Sequence, residues 1–301
     1  MHNLLILAAA SSILFVPPQQ PEAALEPAHQ RNQVYKEVLR EGLKAGGTTV
    51  SLPSPTFRDE LDEAGRRAAL LEVCGSEQAL TNFLRDSVTA PHVLKVSDAK
   101  TEDSTIRSVD LWFVVRADLS KLDPLKFIGQ ADEKAVEVGN MRFEQRLLTA
   151  DDLKPRNRTA QLEGDAPHWF VELKGRLLDR IAFQAVDEAM ATRADDSMVV
   201  AARVDPAFNS PGDVTNQWKN LRDGGPANPY QGGASYAKIS RLKLKEADDA
   251  LIVEVHAAFD EPNGWFQGAP ILRSKFSPVV QDQVRRLRRE LLKNRPKSNP
   301  S

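Results

Sequence analysis

Hydrophobic and polar residues alternate along two neighbouring segments in the last third of the chain. In residues 250–259 the odd-numbered positions are apolar, whereas Glu254 and His256 occupy even-numbered positions. A period of two is typical of a strand with one buried face. Residues 236–244 form a second such segment, and the two aspartates between the segments fit a tight turn. The pattern therefore predicts an antiparallel hairpin.

The period changes to that of a helix in residues 277–293. The apolar residues there fall on one stripe at spacings of four, three and four positions: Val280, Val284, Leu287 and Leu291. Ser277 followed by Pro278 is typical of a helix start, since serine caps the first turn and proline needs no hydrogen bond there. We therefore expect one long C-terminal helix that begins at Ser277 and packs its stripe on the hairpin.

The opposite face of this helix is basic, with residues Arg285, Arg286, Arg288, Arg289 and Lys293. Residues 285–297 carry seven Lys or Arg and one Glu, so the overall net charge of −2 combines +6 there with −8 elsewhere. No aromatic residues interleave the basic ones as stacking platforms for nucleic acid would. We expect this face to contact water, and we expect no nucleic-acid partner.

Earlier segments complete a prediction of the fold class. Residues 107–119 alternate as a strand does, and residues 169–193 as one bent strand or two. Residues 28–105 are predicted to be mainly helical, either as a separable cap or as part of the same domain. The predicted fold is α+β: a curved antiparallel sheet packed on a long C-terminal helix over residues 106–295, preceded by the helical region and followed by a disordered tail at 296–301.

The N-terminal end carries a mostly apolar, uncharged run at residues 4–16, which two prolines end. Such a run is too short to span a bilayer as an ordinary helix, and it fits the apolar part of a secretory signal peptide. We therefore expect residues 1–24 to be a signal-like segment with a linker, and the protein to be periplasmic, secreted or envelope-associated. A cytoplasmic protein with a buried helix is the alternative. Membrane contact is expected only through this segment.

The order of elements in residues 234–292 is similar to that of a known family. Two strands are followed by Gly264-Trp265-Phe266 and then by the helix that Pro278 opens. This order resembles the C-terminal end of START-type lipid-binding domains, which belong to the helix-grip group called SRPBCC. The resemblance implies a sheet bent around the terminal helix, with a lipid or other hydrophobic molecule held between them.

The same resemblance implies a set of ligand-contacting side chains. They come from two strands, the Trp-Phe pair and the helix stripe: Val109, Leu111, Phe113, Val253, Val255, Phe259, Trp265, Phe266, Val280, Val284 and Leu287. The alternative is that these residues fill a solid core, as most apolar residues at such positions do.

Catalytic motifs are few in this sequence. It contains no Gly-x-Ser-x-Gly elbow, His-Glu-x-x-His motif, phosphate-binding loop or dinucleotide fingerprint. Glu254, His256 and Asp260 share one strand face and could orient an imidazole for acid–base chemistry, although we expect that face to be exposed to solvent. The lone Cys74 excludes an intramolecular disulfide. No cofactor and no metal are expected.

Three functional hypotheses follow from these patterns. The first is an exported, non-enzymatic module that binds a lipid-like or other apolar ligand. The second is a hydrolase or isomerase that uses Glu254, His256 and Asp260. The third is a structural or interaction protein of the cell envelope with a filled core. The sequence does not distinguish them. The first two need a hollow space between sheet and helix, whereas the third has a filled core.

Overall fold

The structure is a computed structural model that describes residues 27–125, 136–138, 140–266 and 271–293. The predicted signal-like segment and the predicted tail at 296–301 lie outside these ranges. Within them, no helix is both long enough and apolar enough to cross a membrane.

The described ranges contain thirteen strands and six α-helices. The strands are β1 (Leu43–Ala45), β2 (Thr48–Val50), β3 (Val93–Lys100), β4 (Ser104–Arg116), β5 (Val136–Val138), β6 (Met141–Leu147), β7 (His168–Leu177), β8 (Ile181–Arg193), β9 (Ser197–Val204), β10 (Gln217–Asn220), β11 (Asn228–Pro229), β12 (Gly233–Arg241) and β13 (Ala250–Pro262). The helices are α1 (Gln33–Glu41), α2 (Glu63–Cys74), α3 (Glu77–Phe83), α4 (Ala150–Leu153), α5 (Asn263–Phe266) and α6 (Ile271–Lys293).

One large antiparallel sheet dominates the molecule. Its strand order is β3-β4-β13-β12-β9-β8-β7-β6-β5, and β10 pairs with β8 and β11. The predicted hairpin is confirmed as β12 and β13, and residues 248 and 249 form a turn before β13. The segment at 169–193 is two strands, β7 and β8, with Leu178 and Asp179 in the left-handed conformation between them. The predicted α+β class with a C-terminal helix is confirmed.

The C-terminal helix is longer than the sequence pattern indicates. It begins at Ile271, so the predicted start at Ser277 is wrong and Pro278 lies inside the helix. An interior proline removes one backbone hydrogen bond, because it has no N–H. Leu272 is buried in the main core, and this packing stabilises the helical turns before the proline.

The region predicted as helical, residues 28–105, is only partly so. It contains α1, α2 and α3, but also β1, β2 and β3 and the start of β4. Strand β3 lies at the edge of the sheet, and its sequence mixes apolar with polar residues on both faces, so its alternation is weak. The sequence pattern therefore missed an edge strand, and the sheet begins earlier than predicted.

Both faces of the sheet are covered. We call the face that carries Phe113 and Val253 the inner face, because these residues pack in one core with α6. The opposite, outer face is covered by the N-terminal region. Phe57 and the residues of α2 and α3 pack there against Trp112, and α1 packs against Tyr236.

Candidate functional site

The inner face brings together most of the predicted ligand-contacting residues. One continuous core contains Leu111, Phe113, Val253, Val255, Trp265, Phe266, Val280, Val284 and Leu287. Phe259 is half-buried and packs against this core. Val109 is buried on the same face of β4, directly across from Ala257 of β13. The predicted set thus shares one face, and whether it meets a ligand stays a prediction.

The middle of the inner face is lined by small side chains. The buried alanines there are Ala185, Ala189, Ala191, Ala202, Ala237 and Ala257. Ser235 lies among them, because its cross-strand neighbours are Ala202 and Ala257. Close-packed interiors fill the room beside small residues with large neighbours. Sequence reasoning missed this stretch, since alanine gives a weak signal in a period-two pattern.

Several large side chains beside this stretch are not fully buried. Val204, Phe183 and Phe259 pack against the inner core, yet each keeps accessible surface. Gly232 and Gly233 lie close by, and a side chain at Gly232 would collide with Val204. These three side chains therefore keep accessible surface, whereas Phe113 and Val253 are completely buried.

One carboxylate lies within this apolar surface. Asp187 of β8 is on the inner face between Ala185 and Ala189, and its cross-strand partners are Val171 and Val204. Burial raises the pKa of Asp187 to about 7. The residue as a whole nevertheless keeps some accessible surface. Asp187 is therefore surrounded by apolar neighbours without being completely enclosed.

Four aromatic rings surround Trp265 next to this surface. Its ring centroid is 5.7 Å from that of Tyr230, 5.8 Å from Phe183 and 6.4 Å from Trp218. Phe266 is at 6.5 Å in an edge-on arrangement. The sequence predicted Trp265 and Phe266 but missed the other three rings. Tyr230 and Trp218 come from the Gly- and Pro-rich stretch after β9, which gave no strand pattern.

Three ion-paired side chains lie beside Phe259 at one end of the inner face. Arg107 of β4 is 3.0 Å from Asp98 of β3, and it donates to Glu261 of β13. All three side chains are nearly inaccessible. Burial raises the pKa of Tyr230 well above its usual value, and the carboxylates of Asp260, Asp187 and Glu261 add to this effect. These three carboxylates therefore lie close enough to Tyr230 to raise its pKa.

The second set of predicted site residues lies elsewhere. Glu254, His256 and Asp260 are on the outer face and are almost completely buried, so the expectation of a solvent-exposed face is wrong. The N-terminal region covers them: the backbone N–H groups of Thr56 and Phe57 donate to the Glu254 carboxylate at 2.7 and 3.2 Å. They therefore do not line the space between the sheet and α6.

His256 is held as an imidazolium that forms hydrogen bonds through both of its ring nitrogens. Its Nδ1 is 2.5 Å from Asp110, and its Nε2 is 2.9 Å from Glu254. Burial lowers the pKa of His256, but the bonds to Asp110 and Glu254 outweigh it and raise the pKa to about 9. Burial likewise raises the pKa of Glu254, but the bond from His256 and the N–H groups lower it to about 2. An imidazolium with both protons engaged is not available as a base.

A second buried polar group on the outer face contains serine, histidine and aspartate. Ser197 donates to Asp59 at 2.5 Å, and His29 Nε2 is 2.7 Å from the Ser197 hydroxyl. In a hydrolytic triad the histidine lies between the serine and the acid. Here the serine lies between the histidine and the aspartate instead. Burial lowers the pKa of His29 to about 4, so it is neutral. This arrangement connects the N-terminal region to the sheet.

Metal and thiol chemistry find little support in the described ranges. Within them, no group of three or more His, Cys, Asp or Glu side chains is arranged to hold a metal ion. Cys74 is half-buried at the end of α2, and burial raises the pKa of its thiol to about 11. The reactive thiolate is therefore scarce near neutral pH.

Comparison with known proteins gives likeness in structure and none in sequence. No family model and no curated protein sequence matches the chain. Among solved structures, it is similar to the crystal structure of human STARD10, with a TM-score of 0.37 and 12% identity, over 79% of this chain and 86% of that one. A TM-score of 0.37 is too low to decide the fold family or the ligand. The START-type resemblance of residues 234–292 therefore stays a prediction.

Proposed function

We propose that the protein binds an apolar, lipid-like ligand between the inner face of the sheet and α6. The observation that carries the proposal is Asp187, a residue on the alanine-lined inner face whose carboxylate has a pKa raised by burial and which still keeps some accessible surface. A space of this kind, walled by apolar residues with few polar groups, is typical of sites for small hydrophobic molecules.

The apolar residues between Trp265 and Phe113 favour an elongated, hydrophobic ligand. The inner core continues from the aromatic group at Trp265 to Phe113 and the α6 residues Val284 and Leu287. Burying one methylene group of a ligand in such surroundings contributes about 0.8 kcal/mol. An alkyl chain of moderate length would therefore bind without any strong polar contact.

The enzymatic hypothesis has weaker support. Its three residues lie on the outer face, sealed by the N-terminal region, with His256 only 1% exposed. A substrate could reach them only after that region moves away. The hypothesis of a structural or interaction protein would gain support from a filled interior.

Native mass spectrometry after gentle purification tests the proposal. We expect a bound lipid mass, or a complex when dodecanol or a neutral monoacylglycerol is added. At a hundredfold excess over the dissociation constant, such a ligand stabilises the fold by about 2.7 kcal/mol. A clean apo mass, with no stabilisation by any lipid class, would contradict the proposal.

Two substitutions at one position provide the matched control. Ser235 lies on the inner face between Ala202 and Ala257. Ser235→Phe should occupy the space and abolish binding, whereas Ser235→Ala should leave binding within about twofold of the unsubstituted protein. Equal binding by both variants would show that the ligand lies elsewhere.

A further inference from the structure

We propose that Asp187 anchors the head of the ligand, and that this head carries a protonated amine. The inference rests on the proposed function and narrows its ligand class to cationic amphiphiles. The structural basis is the position of the carboxylate on the inner face, between Ala185 and Ala189 and across from Val171 and Val204. Every one of these four neighbours is apolar, so the carboxylate is the polar point of this surface.

Asp187 differs from the other carboxylates of the inner face in its partners. Asp98 and Glu261 both pair with Arg107. Among the residues that the structure describes, none forms an ion pair or a hydrogen bond with the Asp187 side chain. Burial alone raises its pKa to about 7. A buried carboxylate without a partner is costly, and a cation that enters with the ligand offsets that cost.

The neighbouring rings favour a cation over a neutral donor. Tyr230, Phe183 and Trp265 are mutually in contact, with ring centroids 5.7 to 5.8 Å apart. Aromatic faces attract cations through their negative quadrupole. The carboxylates of Asp187 and Asp260 both act on Tyr230, which places this region in a negative potential. An alcohol would gain only a hydrogen bond there, whereas an amine gains the charge interaction as well.

Two tryptophans of the inner core carry indole N–H donors without an acceptor among the described residues. The indole N–H groups of Trp169 and Trp265 are buried and have no acceptor among the described residues. Both side chains are almost inaccessible, at 1% and 2%. Trp169 precedes Val171 on the same face of β7, so it lies diagonally across from Asp187. The inner core therefore holds two buried donors for which the described residues supply no acceptor.

The test compares dodecylamine, dodecanol and dodecanoate at pH 8, below their aggregation concentrations. We expect dodecylamine to bind at least tenfold more tightly than dodecanol, and dodecanoate to bind most weakly. Asp187→Asn should reduce the preference for the amine to less than threefold while leaving dodecanol unchanged. Glu188→Gln is the matched control, because Glu188 is the next residue of β8, lies on the opposite face of the sheet and pairs with Arg203, so its loss should preserve the preference.

A pH series on the unsubstituted protein gives an independent reading. Alkylamines stay protonated up to about pH 10, so only the protein titrates between pH 5 and pH 8. Dodecylamine affinity should fall as pH drops through about 7, where Asp187 takes up a proton. Dodecanol affinity should not change, because its hydroxyl does not need the charged carboxylate.

The outcomes separate the two proposals. Equal binding of amine and alcohol, unaffected by Asp187→Asn and by pH, would overturn the anchor and leave the apolar site in place. Binding of none of the three probes would overturn the proposed function and the anchor with it. Loss of the preference in Glu188→Gln, with the preference kept in Asp187→Asn, would contradict the assignment of the anchor to Asp187.

Discussion

Two buried ionisable residues of this protein, His256 and Asp187, differ in whether their charge has a partner. His256 is buried between two carboxylates, whereas Asp187 is buried without a charged partner among the described residues. The first arrangement pairs both imidazole N–H groups with carboxylates and fixes the outer face. The second leaves a carboxylate that, under our proposal, the ligand pairs with. The alternation in residues 250–259 pointed to His256, whereas Asp187 had no such signal, although the alternation of β8 places it at an inward position.

Replacing His256 should cost much of the stability of the fold. His256→Ala leaves Glu254 and Asp110 uncompensated, which typically costs about 3–5 kcal/mol. The pKa of His256 is raised from 6.5 to about 9, so its contribution is complete below pH 6.5 and is lost as pH rises through 9. Urea unfolding at pH 6 and pH 9.5 should therefore show a smaller effect at the higher pH.

His168 provides the control for this substitution. It is 26% exposed on its side chain and lies 3.0 Å from Glu188. His168→Ala should cost about 1 kcal/mol or less, because exposed ion pairs contribute little. Equal losses for the two histidines would show that the outer-face group is not a stabilising network.

At the scale of elements, the hairpin could be predicted and the attachment of α6 could not. Alternation and an Asp-Asp turn identified β12 and β13, because both signals are local. The basic face of α6 was expected to contact water, and for Arg288 this is wrong. Arg288 is buried and donates to the carbonyl oxygens of Val114 and Ala90, with its guanidinium 5.9 Å from the Phe113 ring. Its partners lie far away in sequence.

Arg288 should therefore be the basic residue of α6 that matters for stability. Arg288→Met keeps the apolar stem but removes the donors, and we expect a loss of about 1–3 kcal/mol in urea unfolding. Arg289→Met, on the exposed side of the same helix, should change stability by less than about 0.5 kcal/mol. Similar values for both would mean that the helix is held by its apolar stripe alone.

At the scale of the whole molecule, the sheet is buried on both sides, which the sequence pattern did not reveal. The α+β class, the long terminal helix and the shared face of the predicted apolar residues were predictable from local periodicity. The cover on the outer face was not, because Thr56 and Phe57 meet Glu254 from the opposite end of the chain. Small residues such as Ala202 and Ala257 also carry no pattern that marks an inner surface.

The proposed function requires a hollow space between the inner face and α6. Urea unfolding of Ser235→Phe and Ser235→Ala measures this most directly, without any ligand. If the space is hollow, the phenyl ring fits and Ser235→Phe is at least as stable as Ser235→Ala, since burying a ring contributes about 1.5–3 kcal/mol. If the interior is solid, overpacking should make Ser235→Phe less stable by about 1–3 kcal/mol, which would contradict the account.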